Sequence, residues 1–379
     1  MKILLILIAS VLFIATLVAA YLRYQLDNAA DDRNLVASID AEVRKVSNAM
    51  PPHGLVVGVY KNGQTLIKGY GSVGGANTSV PDESTVFQLA SVSKLITSAL
   101  LQILSDEGVV EMEASLGELI GDSVELSPDA ALVTLHQLAT HTSGFPRVPK
   151  VLSDKVISLA GKESLMVNPY NHLDVKDVLG YLKFSEGKKS PGKFVYSNYG
   201  MGLLGHVLAL VTDKDLESLA TEKLFNPLDM KTTAIELTQE MQEQLAQGHT
   251  VKGEPAQLWT FKSLGGAGGF NTTAADMMSF LRANVDDSAG LYPALSRMHK
   301  KQPGSSTGIG WMQPGFIERF LGNKSVVWHN GLVGGYASYV SVDVKAGTAV
   351  LILSNIAIDI TMMGTMLTRI VRTQSLAVQ

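Results

Sequence analysis

Residues 86–105 read VFQLASVSKLITSALLQILS, and this stretch decides how the chain is interpreted. Its first residues favour a β-strand, whereas apolar residues farther on recur at the three- and four-residue spacing of a helix. The pattern predicts a helix with Leu95, Ala99 and Ile103 on its buried face. Ser91 therefore lies at a strand-to-helix junction, where the unpaired N–H groups of a first helical turn can meet an anion.

Strand signals occur on both sides of this stretch, toward each end of the chain. Residues 55–71, LVVGVYKNGQTLIKGYG, hold two apolar-rich runs around Asn62-Gly63. Both residues of such a dipeptide readily take positive φ, which predicts a two-residue β-hairpin. Further extended segments are predicted at 310–311, 325–329, 337–342 and 349–353, followed by a helix at 360–372.

The middle of the chain is predicted to be mainly helical. Thr134 and Gln137 have the spacing of a capping box, Asp174 can cap a second helix, and residues 199–211 form an apolar third. Strands at both ends with helices between them predict an α+β, sandwich-like fold. We expect one antiparallel sheet formed from both chain ends, helices packed on its faces, and a mainly helical lobe inserted at roughly 110–260.

The N-terminus carries a targeting signal. Ile3 to Leu22 contain no charged residue, Lys2 precedes them and Arg23 follows. Twenty apolar residues match the ~20 that a membrane-spanning helix needs. The small residues Val18-Ala19-Ala20 instead suit signal cleavage. An uncleaved anchor and a cleaved signal both stay open, and either one exports the remainder of the chain.

Two further expectations follow from this signal. The mature protein is predicted to reside in the cell envelope, in the periplasm or on the outer face of the cytoplasmic membrane. The predicted organisation is 1–24 as signal or anchor, 25–34 as linker and 35–379 as a single domain.

Composition excludes several classes of function. The chain has 31 Lys and Arg against 35 Asp and Glu, for a formal charge of −4, so nucleic acid is not an expected partner. It has no cysteine, which excludes disulfides, thiolate nucleophiles and Cys-ligated metals. His136 and His141 lack the spacing of a helical metal motif, so neither a metal nor another cofactor is expected. The expected partner is a small-molecule or peptide substrate, together with the membrane if the N-terminal segment is retained.

The first candidate site is Ser91-Val92-Ser93-Lys94. Lys94 follows Ser91 by three residues, so both project from one face of the helix. A serine hydroxyl needs a base to become nucleophilic, and a lysine serves only where its surroundings lower its pKa. The pattern alone equally describes a helix cap and a solvated lysine, but the apolar neighbours Leu89, Ala90 and Leu95 favour burial.

Two later motifs carry further candidates. In Tyr196-Ser197-Asn198 the phenol and the amide are two residues apart on an extended stretch and point the same way. In Trp328-His329-Asn330-Gly331 the glycine at a strand end allows a substrate to approach the backbone, and the next N–H, of Leu332, can be an oxyanion donor. Each motif also has a plain structural interpretation, as a helix cap and as a buried structural histidine.

Taken together, the three motifs resemble the serine hydrolases related to β-lactamases. The closest resemblance is to the branch of class C β-lactamases, DD-carboxypeptidases, D-amino-acid peptidases and β-lactamase-like esterases. It extends from about residue 35 to 372 and includes HQLATHTSGFP at 136–146 and HNGLVGGYASYV at 329–340.

The resemblance implies a role for each candidate residue. Ser91 attacks a carbonyl, Lys94 and Tyr196 share the proton transfers, and Asn198 positions the substrate. Gly331 allows close approach, and the N–H groups of Ser91 and Leu332 hold the oxyanion. His329 contacts a substrate carboxylate or tunes the proton shared by Tyr196 and Lys94.

The third motif departs from the family pattern because His329 replaces a lysine. This favours a peptidase-like or broad hydrolase over an esterase, and an esterase over a β-lactamase. A non-catalytic protein that binds penicillin or cell-wall peptide remains the alternative of another class. Residues 304–308 match G-x-S-x-G, but neither a hydrophobic strand before them nor a helix after them is predicted, so they are interpreted as a loop.

Overall fold

The computed structural model describes residues 35–184 and 192–374, and in it both ends of the described chain enter one antiparallel sheet. The five strands lie in the order β2-β1-β7-β6-β5. They are β1 (Gly54–Lys61), β2 (Gln64–Gly71), β5 (Val327–Leu332), β6 (Ala337–Asp343) and β7 (Thr348–Ser354). A separate small sheet joins β3 (Val86–Gln88) to β4 (Asn271–Thr273).

Helices fill the chain between these strands and close it at the C-terminus. Before β4 they are α1 (Leu35–Ser47), α2 (Ser93–Asp106), α3 (Leu116–Ile120), α4 (Pro128–Ala131), α5 (Leu135–Ala139), α6 (Lys150–Ala160), α7 (Ser164–Val167), α8 (Val175–Phe184), α9 (Asn198–Thr212), α10 (Leu216–Ala220), α11 (Gln239–Glu243) and α12 (Gly265–Gly268). After β4 they are α13 (Ala274–Ala283), α14 (Tyr292–Arg297), α15 (Phe316–Phe320) and α16 (Thr361–Thr373). A 3-10 turn covers Ala90–Val92 and a π-helical turn Thr221–Phe225.

The sheet separates two apolar cores because side chains alternate along its strands. Leu55 and Val57 of β1 face α1 and α16, which pack side by side against this face. Val56 of β1 and Leu351 of β7 face the opposite side, where α13 and the helical region cover them. Each fully buried Val or Leu stabilises this arrangement by about 1.5–3 kcal/mol.

The hairpin and the predicted caps agree with the structure. Asn62 and Gly63 connect β1 to β2 with φ of 52° and 78°, so the turn takes the predicted conformation. Thr134 and Gln137 form a reciprocal capping box, and Asp174 accepts the N–H of Asp177 at 3.0 Å. Local chemistry thus determines these turns and helix starts.

One predicted strand is wrong. Gly310 and Trp311 form no strand, since Gly310 has φ of 76° and passes closely over Ser98 of α2. The fully buried Trp311 was responsible for the strand-like pattern, because a core residue in a loop resembles a strand residue in sequence.

The predicted signal or anchor, 1–24, and the linker, 25–34, lie outside the described residues. Within residues 35–184 and 192–374, no helix combines the length and the apolarity that crossing a membrane requires. Nothing in the structure tests the other domain boundaries, including the lobe at roughly 110–260, and they stay predictions.

Candidate active site

Ser91 follows β3 in a tightly held turn. Ala90, the residue before it, has φ of 50° and is fully buried, a left-handed conformation that costs an alanine about 1–2 kcal/mol. Two bonds to Leu89 hold the turn: its N–H donates to Phe270 O at 2.9 Å, and its carbonyl accepts from Ser338 Oγ at 2.7 Å. Contacts from Phe270, just before β4, and from Ser338 of β6 thus stabilise the strained residue and present Ser91 at the start of α2.

Lys94 lies one helical turn beyond Ser91. Its Nζ is 3.0 Å from Ser91 Oγ and donates to Ala267 O at 2.6 Å. The side chain has no exposed surface. Burial, together with the positive charge of Arg147, holds the pKa of Lys94 well below its usual value. A lowered pKa increases the fraction of the amine that is neutral, and only the neutral form has a lone pair to offer to the serine hydroxyl.

Tyr196 reaches the same serine from the segment that precedes α9. It shares a hydrogen bond with Ser91, and Lys94 Nζ lies 5.0 Å from the centre of its ring. Burial raises the pKa of Tyr196, an effect that the bond to Ser91 and the charge of Arg147 partly oppose. The structure therefore brings Ser91, Lys94 and Tyr196 together around one hydroxyl, with the phenol protonated.

Asn198, the first residue of α9, borders the site. Its Nδ2 donates to Tyr170 Oη at 2.8 Å. Its buried Oδ1 has no partner among the residues that the structure describes. Ser197, and not Asn198, caps α9, by accepting the N–H of Gly200 at 2.8 Å. The free oxygen of Asn198 thus remains available as a hydrogen-bond acceptor.

The edge strand β5 completes the opposite wall of the site. Gly331 lies against the Ser91 turn so closely that a Cβ there would overlap Leu89 O and Ser338 Oγ and approach the Ala90 Cβ to 2.9 Å. Leu332 follows, half exposed, and borders the same cavity as Ser91. Only glycine lets the strand approach the serine this closely.

His329 is buried and uncharged. It is 1% exposed, and its Nδ1 donates to Asn330 O at 2.7 Å. Burial, and secondarily the charge of Lys94, lowers the pKa of His329 to about 3. Nε2 is buried and has no partner among the described residues. A neutral histidine without exposed surface does not supply a cation to a substrate.

Two residues at the site were not selected from the sequence. His141 has φ of 57°, accepts the N–H of Ser197 through Nδ1 at 3.2 Å, and places its ring 4.5 Å from that of Tyr196. Arg147 places its guanidinium carbon 5.2 Å from the centre of the Tyr196 ring. Both belong to the segment joining α5 to α6. The likeness of HQLATHTSGFP, at 136–146, to the family points to His141, whereas Arg147 lies just beyond that stretch and no sequence signal points to it.

A cavity of ≈ 280 Å³ opens in front of Ser91. The side chains and backbone that line it are those of Ser91, Arg147-Val148, Leu152-Ser153, Val156, Pro169-Tyr170, Leu173, Asn198, Trp259, Phe261, Ala267-Gly268 and Leu332-Val333. No group of three or more potential metal ligands occurs within residues 35–184 and 192–374. Ser306, the centre of the G-x-S-x-G match, is itself exposed and lies in the loop between α14 and α15, with buried residues on both sides of it.

The chain is similar to proteins of the same classes as those that its sequence motifs resemble. The D-alanyl-D-alanine-carboxypeptidase/endopeptidase AmpH of Escherichia coli (strain K12) is 25% identical over 309 residues, which are 76% of this chain and 75% of that protein. A Beta-lactamase of Pseudomonas fluorescens is 23% identical over 354 residues, 84% of this chain and 92% of that protein.

Solved structures share the fold. The crystal structure of a Beta-Lactamase/D-Alanine Carboxypeptidase from Pseudomonas syringae superposes with a TM-score of 0.75 at 20% identity, covering 89% of this chain and 98% of that one. The predicted α+β class, with its antiparallel sheet, is thereby confirmed. The model of the family described as Beta-lactamase matches residues 43–373, nearly all of the described chain. The resemblance seen in the sequence is therefore confirmed, and the chain belongs to the Beta-lactamase family.

Proposed function

We propose that the protein is a serine hydrolase that cleaves an amide or ester carbonyl through an acyl-enzyme on Ser91, with peptide-like substrates preferred. The observation that carries the proposal is the 3.0 Å distance between Ser91 Oγ and the Nζ of the fully buried Lys94. An amine kept neutral at this distance accepts the hydroxyl proton as the oxygen attacks. Relatives named as a carboxypeptidase/endopeptidase and as a Beta-lactamase support chemistry at such carbonyls.

The opposite pKa shifts of Lys94 and Tyr196 assign a different proton transfer to each residue. Burial lowers the pKa of Lys94 and raises that of Tyr196, so the amine is the base and the phenol is an acid. Lys94 takes the proton of Ser91 during attack. Tyr196, bonded to the same hydroxyl, passes a proton to the leaving group as the tetrahedral intermediate collapses. Water then attacks the acyl-enzyme and the same groups act in reverse.

The remaining residues bind and orient the substrate in this proposal. The N–H groups of Ser91 and Leu332 hold the oxyanion, and losing one such donor costs about 3–4 kcal/mol of transition-state stabilisation. The unpaired Oδ1 of Asn198 supports binding of a substrate N–H, a group that peptides have and simple esters lack. His329, buried and neutral, tunes the Tyr196 and Lys94 pair without binding a carboxylate.

The location in the cell envelope belongs to the same proposal. It rests on the apolar sequence from Ile3 to Leu22 and on the cell-wall peptide chemistry that the name of the Escherichia coli relative indicates. The described residues provide no membrane-spanning helix in its support.

Replacing the nucleophile tests the proposal. Ser91→Ala should abolish labelling of the purified chain by a fluorophosphonate probe and lower kcat/KM at least 1,000-fold. The substrate panel is a peptide ending in D-Ala-D-Ala, a chromogenic cephalosporin and short p-nitrophenyl esters. Ser306→Ala is the matched control, because it removes the serine of the other candidate motif and should change neither readout.

Three other outcomes of these measurements would contradict the proposed function. Full activity in Ser91→Ala would reject the proposal, and loss of labelling in Ser306→Ala would transfer the nucleophile to the exposed loop. Stoichiometric labelling of Ser91 by substrates, without release of product, would favour the non-catalytic binding protein.

A further inference from the structure

Arg147 is a cation without a counter-ion at the mouth of the Ser91 cavity. Its side chain is exposed, and it forms no ion pair with any carboxylate of residues 35–184 and 192–374. Its guanidinium carbon lies 5.2 Å from the centre of the Tyr196 ring, next to the group that shares a hydrogen bond with Ser91. A guanidinium keeps its charge at every pH at which the protein is folded.

The backbone of Arg147 fixes this position. Its carbonyl oxygen accepts the N–H groups of Asn198 and Tyr199, each at 3.0 Å. The loop that carries Arg147 is thereby attached to the start of α9, the element that also positions Tyr196 and Asn198. The backbone of Arg147 is consequently fixed relative to the proposed catalytic groups, and its side chain extends from a constant position beside them.

The other basic groups of the site do not compete for an anion. Lys94, His141 and His329 are each at most 1% exposed. Lys94 is bonded to Ala267 O, and His329 uses its N–H on Asn330 O. Among the described residues that line the cavity, Arg147 is the one cationic side chain that reaches solvent, and none is an Asp or Glu. The charge of this cavity is therefore positive and localised at one place.

Most of the other side chains that line the cavity are apolar or aromatic, and Ser91, Ser153 and Asn198 are the polar residues among them. Leu152 and Val156 of α6 form one side. On the other side the ring of Tyr170 stacks on that of Phe261 at 4.7 Å, and Trp259 meets Tyr170 edge-on at 6.0 Å. Such walls favour a branched or aromatic group, whose burial contributes about 25 cal/mol for each Å² removed from water.

We propose that Arg147 binds a carboxylate of the substrate, so that the enzyme selects anionic substrates that also carry a bulky apolar group. This proposal deepens the proposed function and rests on it. The planar guanidinium donates two parallel N–H bonds to a carboxylate, a geometry that a lysine does not reproduce. Arg147 thus supplies the permanent positive charge that the third motif lacks, since His329 occupies that place.

Two boronic acids that differ only in one charged group measure the contribution of a carboxylate to binding. The probes are 3-carboxyphenylboronic acid and its 3-carbamoyl analogue. In both, the boron forms a reversible covalent bond with the oxygen of an activated serine, and the phenyl ring can pack against the apolar side chains of the cavity. Binding is measured at pH 7 as protection of Ser91 from a fluorophosphonate label. We expect the acid to bind the native chain at least tenfold more tightly than the amide.

Variants of Arg147 test whether this residue causes the tighter binding of the acid. Arg147→Ala should reduce the acid-to-amide ratio to near one, and Arg147→Lys should keep part of it. Lys150→Ala is the matched control: it removes a neighbouring positive charge that already pairs with Asp154, and it should leave the ratio unchanged. Melting temperatures of all the variants establish that they fold.

The outcomes distinguish this proposal from the proposed function. An unchanged ratio in Arg147→Ala overturns the carboxylate site and leaves the serine mechanism intact. A parallel loss of affinity for both probes also overturns it, because Arg147 would then act on the charge state of Lys94 and not on the ligand. Failure of both probes to protect Ser91 in the native chain counts against the proposed function, and with it against the carboxylate site.

Discussion

Lys94 illustrates how an active-site residue can weaken the fold that holds it. In the unfolded chain its amine is solvated and protonated, whereas in the folded protein it is fully buried and its pKa is well below the usual value. At any pH between the two pKa values the unfolded state therefore binds a proton that the folded state does not, which lowers the free energy of unfolding. In the proposed mechanism this amine, in its neutral form, is the base that activates Ser91, so function would account for the cost.

Removing this amine should separate stability from activity. Lys94→Met keeps the length and apolar character of the side chain but has nothing to protonate, so we expect a higher melting temperature together with loss of detectable turnover. In a domain of 150–250 residues, 1 kcal/mol corresponds to about 2–4 °C. Calorimetry and fluorophosphonate labelling measure the two effects, and a lower melting temperature at unchanged activity would contradict the assignment.

At the residue scale, short-range spacing selected side chains that the structure places next to one another, and their catalytic roles stay a proposal. Ser91 and Lys94 are one helical turn apart, and Tyr196 is in a short motif, so local pattern was sufficient to select them. Arg147 and His141 were missed because their roles arise from contacts across some fifty residues, such as the bond between the Ser197 N–H and His141 Nδ1. The sequence gives no spacing from which such contacts follow.

At the level of elements, the approach of β5 to the Ser91 turn determines the geometry of the site. The strand is at the edge of the sheet, so its outer side is free to face the turn. Gly331 and Ser338 make the contact, the first by having no side chain and the second by its bond to Leu89 O. The strained φ of Ala90 is maintained by these same contacts.

Adding one methyl group to this contact should disable the site. In Gly331→Ala the new Cβ would overlap Leu89 O and Ser338 Oγ, so β5 must move away from the serine. We expect kcat/KM to fall at least 100-fold and the free energy of unfolding to fall by about 1–3 kcal/mol. Steady-state kinetics and urea unfolding measure both quantities.

Gly180→Ala is the control for this substitution. Gly180 lies inside α8 with open space around its Cβ position, so an alanine there should preserve activity and stabilise the helix by about 0.5–1 kcal/mol. Equal kinetics in Gly331→Ala and in the native chain would show that the approach of β5 is not required.

Predictions of secondary-structure elements were correct where interactions within a few residues determine the structure. The Asn62-Gly63 hairpin and the Thr134 capping box follow from turn and cap chemistry, which acts within a few residues. The predicted strand at Gly310-Trp311 failed because a tertiary contact with α2 places that loop in the core. A pattern of buried residues does not distinguish a core loop from a strand.

At the scale of the whole molecule, buried histidines should make the protein sensitive to acid. The pKa of His329 is about 3 in the folded state and about 6.5 in an unfolded chain. Between these values the unfolded state alone binds the proton, so the free energy of unfolding falls as pH decreases from 6.5 toward 3, by about 1.4 kcal/mol per pH unit. Burial shifts the pKa of His141 in the same direction.

Urea unfolding at pH 7.5, 6.0 and 5.0 measures this dependence. His329→Gln removes one titrating group, so its slope of unfolding free energy against pH should be shallower than that of the native chain by about one proton. Contributions from carboxylates cancel in the difference between the two proteins. Parallel slopes would mean that His329 is accessible to protons in the folded state.

The order of the strands in the sheet could not be predicted from the sequence. The prediction that both chain ends contribute to one sheet is confirmed, but the order β2-β1-β7-β6-β5 depends on pairings such as Val57 with Ile352, which no local pattern encodes.

The pairing of the first strand with the last also has a consequence for biosynthesis. The N–H of Gly54 is bonded to the side chain of Asn355, 301 positions later, and Leu332 reaches the serine only through the same sheet. A nascent chain can form the β1–β2 hairpin early, yet it lacks β7, the second partner of β1, until residues 348–354 have been synthesised. We therefore expect the proposed nucleophile to remain unreactive in a nascent chain until β5, β6 and β7 have joined the sheet.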